Sequence, residues 1–101
     1  MKPETVKYIV ERVVVYLRRE GFYVAHCEIK ARRGEFEVFM RLERNVANIP
    51  SIKVVFSRRS GKFFVFTGRT SLDLRLKRII KRLLEAEKRE IALQEENSSS
   101  S

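Results

Sequence analysis

The sequence predicts an α+β fold in the order α-β-β-β-β-α: two consecutive hairpins forming an antiparallel sheet, with both helices packed on one face. Three observations predict it. Aliphatic residues recur every three or four positions before Gly21, apolar and polar residues alternate between Phe22 and Thr67 around two glycine-containing breaks, and helical spacing returns after Thr70. With 101 residues, 44% of them hydrophobic, the chain can bury one core and not two. Residues 1–96 therefore read as one globular domain and 97–101 as a disordered polar tail.

Pro3 suits the first turn of a helix whose inner stripe is Val6, Ile9, Val10, Val13 and Leu17. Tyr8 and Val15 fall on the opposite side, as tolerated surface apolarity. The β-branched run Val13 to Val15 lowers intrinsic helix propensity, so this helix depends on packing.

Taking Arg33-Gly34 as a two-residue turn pairs Ala31 with Phe36, Ile29 with Val38, Cys27 with Met40 and Ala25 with Leu42 on one apolar face. On the other face Arg32 meets Glu35 and Lys30 meets Glu37, opposite in sign. A one-residue slip would scramble both sets. Taking Ser60-Gly61 as the second turn pairs Phe56 with Val65, Ser57 with Phe64 and Val55 with Phe66, and it sets Arg59 against Lys62, a like-charged pair. Asn45 to Ser51 reads as the loop between the hairpins.

Thr70 and Asp73 resemble a capping box opening the second helix. Its inner stripe is Leu72, Leu76, Ile79, Ile80, Leu83 and Leu84, with Arg75, Arg78, Lys81 and Arg82 on the far side. Glu87 and Glu90 then interrupt the stripe, where the helix either continues past the domain or frays.

Charge gives the first functional direction. Ile52 to Arg82 holds ten basic residues and one acid, a surplus of nine that equals the chain's formal net charge of +9. A local field of that kind attracts a polyanion, so nucleic acid is the first partner to consider. If the strands lie in sequence order, both hairpin turns emerge at one end of the sheet and bring together Arg32, Arg33, Arg58, Arg59 and Lys62. The returning second helix carries Lys81 and Arg82 to the same level, and Arg75 and Arg78 extend the track. The expectation is mainly non-sequence-specific phosphate contact by these nine residues.

Phe39, Val55, Phe64 and Phe66 share the open face of the sheet with Arg41 and Lys53. Such a face can stack the bases of a single strand, or it can join two subunits. The competing reading is accordingly a homodimeric interaction or assembly module without nucleic acid, joined through this face or through the helix extension Glu85 to Gln94.

Gly61-Lys62-Phe63-Phe64-Val65-Phe66 resembles the aromatic strand motif of RNA-recognition-motif domains, over one strand only. That family alternates strands and helices differently, so no residue roles carry over. The element order is similar to double-stranded-RNA-binding domains, which have three strands and a lysine cluster where this chain has Ser71-Leu72-Asp73-Leu74. Glu11 on the first helix, followed by Glu20-Gly21-Phe22-Tyr23-Val24, is similar to the opening of archaeal junction-resolving and restriction-type nucleases. Glu35 or Glu37 matches that family's first metal-binding acid, but the strand from Ile52 lacks the Glu-x-Lys pair, which leaves a degenerate nuclease-like fold as a remote third option.

No enzymatic chemistry is expected. His26 stands alone opposite Arg41, Cys27 reads as a small core residue beside Met40, and neither metal-ligand spacing nor a phosphate loop is present, so no metal and no cofactor are expected. One cysteine and no membrane-spanning apolar run point to a cytoplasmic protein. Charged residues at 35% with one Gln and three Asn lean toward a thermophile source.

Overall fold

A computed structural model describes residues 1–43, 49 and 51–99, with the side chains of 91 and 94–99 outside the description. The elements run α1 (Pro3–Arg19), β1 (Val24–Arg32), β2 (Glu35–Leu42), β3 (Ser51–Ser57), β4 (Phe63–Phe66) and α2 (Thr70–Ser99). All three strand pairings are antiparallel, and the sheet order is β1-β2-β3-β4. This is the α+β architecture expected, with strands in sequence order. Of the loop expected at Asn45 to Ser51, only Ile49 and Ser51 lie within the described residues.

The core forms where period-two and period-3.6 stripes meet. Phe36, Val38 and Met40 of β2 and Ile52, Val54 and Phe56 of β3 face Val6, Ile9, Val13 and Leu17 of α1 and Leu72, Leu76 and Ile80 of α2, all buried. α1 has Pro3 at its first turn and no side-chain cap, so this buried stripe is what holds it.

The first hairpin turns at Arg33-Gly34, where Gly34 has φ +85, a value that glycine adopts without the Cβ clash. Ala31–Phe36, Ile29–Val38, Cys27–Met40, Lys30–Glu37 and Arg32–Glu35 pair as the alternation requires. The expected Ala25–Leu42 pair does not form. A bulge between Val24 and His26 puts Val24 opposite Leu42, and the extra residue bends the start of the strand.

The second hairpin differs by two residues. Phe56 pairs with Phe63, Val55 with Phe64, Val54 with Val65 and Lys53 with Phe66, and the Ser57 N–H donates to the Lys62 carbonyl at 2.8 Å. The loop therefore holds the four residues Arg58 to Gly61 and not a two-residue turn. The Ser60 and Lys62 N–H groups donate to the Ser57 and Ser60 hydroxyls inside it. A two-residue slip keeps every side chain on its face, so inside and outside are as expected, and it removes the unfavourable Arg59–Lys62 opposition.

At the start of α2, Asp73 bonds to Thr67 and not to the Thr70 of the expected capping box. Asp73 Oδ1 accepts the Thr67 N–H at 2.8 Å and lies 2.6 Å from the Thr67 hydroxyl, which itself receives the Arg69 N–H. Thr67 belongs to the β4–α2 connection, so the carboxylate ties the first turn of the helix to the chain leaving the sheet. The helix then runs 30 residues, about 45 Å. It passes Glu87, whose Oε1 receives the Thr5 hydroxyl at 2.6 Å, and reaches Ser99 within the stretch read from sequence as a polar tail.

β1 departs most from expectation. Both helices pack on one face of the sheet as expected, but Cys27 is not the core residue its inward parity suggests: every residue of β1 after Val24 is exposed, Cys27 and Ile29 included. β2 offers Phe, Val, Met and Leu to the helix layer where β1 offers only Cys, Ile and Ala, so the helices gain more apolar burial over β2 to β4. Cys27 is therefore a surface residue of an edge strand. Among the described residues no helix is long and apolar enough to cross a membrane.

Candidate nucleic-acid interface

Sequence order in the sheet places the two hairpin turns side by side, and they are joined directly. The Arg58 N–H donates to the Gly34 carbonyl at 3.0 Å, and the Arg58 carbonyl accepts from the Met1 amino group at 2.8 Å. α2 starts at the far end and returns to this one, so its middle meets the β3–β4 loop. Two clefts result. One, of about 340 Å³, lies between Met1, Lys2 and Thr5, the loop residues Arg59 to Gly61, and Leu84, Glu87 and Lys88. The other, of about 390 Å³, is lined by Gly61 to Phe64, Lys81, Leu84, Glu85 and Lys88.

The nine expected phosphate ligands divide into groups. Arg33, Arg59 and Lys62 are exposed at the turn end, and Lys81 reaches the cleft beside Lys62. Arg58 is at this end but engaged: its guanidinium carbon sits 4.4 Å from the centre of the Phe36 ring and its Nε is enclosed. It extends the core cover on the helix side of the sheet. Arg32 pairs with Glu37 at 2.8 Å on the open face. Arg75, Arg78 and Arg82 are exposed on α2. With Leu72, Leu76 and Ile80 buried, a rotation of about 100° per residue puts Lys81 and Lys88 on one flank of the helix and Arg75 and Arg82 on the other.

Lys88 and Lys2 went unnoticed in the sequence because they lie outside the basic stretch. The available signal was spacing: Lys88 follows Lys81 by two helical turns and shares its flank.

On the open face, Phe39 is 42% exposed and Phe64 and Phe66 are each 54% exposed. Strand pairing sets Phe39, Lys53 and Phe66 in one row and Glu37, Val55 and Phe64 in the next. Lys53 pairs with Glu37 at 3.1 Å. The hydrogen bond from Lys53, backed by the charges of Arg32 and Lys30, holds the Glu37 carboxyl below the ordinary carboxylate range. Phe64 also lines the cleft that contains Lys62, Lys81 and Lys88, so the aromatic face and the basic end meet at β4.

His26 sits opposite Arg41 on the open face, as its parity requires. Partial burial pushes the Cys27 thiol above its ordinary value, which disfavours the reactive thiolate. Among the described residues no three His, Cys, Asp or Glu side chains gather as metal ligands. No family model, curated protein or solved structure matches the chain.

Proposed function

We propose that this chain binds nucleic acid through phosphate contacts at the turn end, with little base specificity. The observation that carries the reading is the gathering of Arg33, Arg59, Lys62, Lys81 and Lys88 at one end of the molecule, where two clefts open between the loop and the helices. Among the described residues the only ion pairs are Arg32–Glu37 and Lys53–Glu37, so none of those five cations is paired with a described acid. Glu85 shares the second cleft without forming an ion pair.

The geometry favours a single strand over a duplex. Phosphates held between Lys62 and Lys81 lie next to Phe64, and beyond it lie Phe66 and, across Lys53, Phe39, exposed rings on which bases can stack. A duplex keeps its bases inside and gains nothing from those rings. Fluorescence-anisotropy titration of a random single-stranded oligonucleotide over a range of salt tests the proposal. The expected result is an affinity that falls steeply with ionic strength, and a salt-independent affinity would refute it.

A further inference from the structure

β1 is an edge strand nine residues long with both faces exposed. Edge strands are commonly blunted by shortness or by inward-pointing charge. Here neither device is present. The helix-side residues Cys27, Ile29 and Ala31 carry no charge, Ile29 is 40% exposed, and the bulge near Val24 leaves the strand from His26 to Arg32 regular. The opposite edge, β4, has four residues.

Hydrogen-bond alternation identifies the free backbone groups. The Ser57 N–H points to Lys62, so on β3 it is Phe56 and Val54 that bond toward β2, and on β2 it is Glu35, Glu37 and Phe39 that bond toward β1. Their partners Arg32, Lys30 and Glu28 are thereby occupied. Ala31, Ile29 and Cys27 direct their N–H and C=O groups to the open edge.

We propose that β1 pairs with β1 of a second copy of this chain, antiparallel about a two-fold axis at Ile29, to make a continuous eight-stranded sheet. Side-chain charge selects this register. With Ile29 opposite Ile29, the free groups of Cys27 meet those of Ala31 of the second copy, and each of these narrow pairs exchanges both its hydrogen bonds. On the outer face Glu28 of each copy lies opposite Lys30 of the other, in the wide pairs where side chains approach most closely. Shifting the axis to Glu28 opposes two glutamates, shifting it to Lys30 keeps two Glu28–Arg32 attractions but opposes two lysines at the centre and shortens the pairing, shifting it to Ala31 sets Lys30 against Arg32, and shifting it to Cys27 runs the pairing into the bulge. The self-complementary register is also the one that uses the whole regular part of the strand. Three apolar residues per copy line its helix side, between the two α1 helices.

The test is sedimentation equilibrium of nuclease-treated protein, with no nucleic acid present. The expected wild-type species is a dimer. Glu28→Lys or Lys30→Glu turns both symmetric charge pairs from attraction to repulsion, and each variant alone should dimerise about ten- to a hundredfold more weakly. Glu28 and Lys30 are exposed and outside the ion pairs; Lys30→Glu also faces Glu37 of its own β2, so circular dichroism and urea denaturation check that each variant keeps its fold, and Glu28→Lys alone carries the test if Lys30→Glu does not. Mixing the two variants restores opposite charges across the axis and should restore the dimer. Independently, Ala31→Cys should form an intermolecular disulfide to Cys27 on mild oxidation, since opposed Cα atoms in a narrow pair lie about 5.5 Å apart, within disulfide range. A monomer at all concentrations, a dimer indifferent to both charge variants, or a wild-type Cys27–Cys27 crosslink would each overturn the proposal.

Discussion

Replacing Arg59 and Lys62 by alanine removes two of the five cations at the turn end and leaves the core untouched. Both side chains are exposed, and the hydrogen bonds that shape their loop use the Lys62 backbone and the Ser57 and Ser60 hydroxyls. Stability should change by no more than about 0.5 kcal/mol. If all five cations meet phosphates of a single strand, log K against log salt should have a slope of about −3.5, and the double variant about −2. Between about 50 and about 200 mM salt the wild-type affinity should therefore fall about 100-fold, and that of the variant about 20-fold. The variant should bind about 70-fold more weakly at the low end of that range and about tenfold more weakly at the high end. Convergence of the two curves with rising salt is the signature of lost counterion release. Anisotropy titrations at four salt concentrations measure it, and parallel curves with an unchanged slope would refute the placement of phosphates at this loop.

Arg58→Ala should behave oppositely, costing about 1 kcal/mol of stability by urea denaturation through lost stacking on Phe36 while leaving the salt slope unchanged. Asp73→Ala should cost about 1–2 kcal/mol, because the Thr67 N–H and hydroxyl lose their acceptor at the start of α2. The Glu37 carboxyl is held low in the folded state, so its stabilising contribution is present above the ordinary Glu value and disappears as pH falls through the lowered one. Glu37→Gln should accordingly flatten the urea midpoint in that acidic window and leave its pH dependence near neutrality unchanged. Phe64→Ser with Phe66→Ser should weaken single-strand binding by about 1–3 kcal/mol per lost stack while duplex binding holds, and equal loss on both ligands would contradict base stacking.

The first hairpin was legible because two independent patterns agreed: Ile29 with Val38 on one face and Lys30 with Glu37 on the other admit a single register. The second was not, because its glycine misled. Gly61 does have positive φ, +70, but it ends a four-residue loop and does not occupy the turn centre. The warning was the like-charged Arg59–Lys62 pair that the shorter turn implied, and the slip of two left the buried set intact. The exposure of β1 was hidden for another reason. Alternation tells which way Ile29 and Cys27 point, while coverage depends on where two helices settle over competing strands. In the basic region the sequence located the cations but not their partners. That Arg58 would lie on Phe36 and Arg32 on Glu37 depends on side-chain directions at the sheet end.

Charge also bears on which sheet edge can be shared. The surplus of nine positive charges lies between Ile52 and Arg82, on Lys53 of β3, on Arg58, Arg59 and Lys62 beside β4, on Arg69, and on five cations of α2 less Asp73, whereas residues 1–51, which include α1, β1 and β2, hold ten basic residues against seven acids. Pairing through β4 would press two such regions together, with Lys62 and Lys81 of each copy near the axis. Pairing through β1 places the two β4 strands seven strand spacings apart, about 34 Å, several Debye lengths at physiological salt. Repulsion between the basic ends is then screened, and both remain open to ligand. A two-fold axis normal to the sheet also keeps both open faces on one side, so Phe39, Phe64 and Phe66 of the two copies form one surface. The same charge distribution that marks one end for phosphate thus argues that assembly proceeds through the other edge.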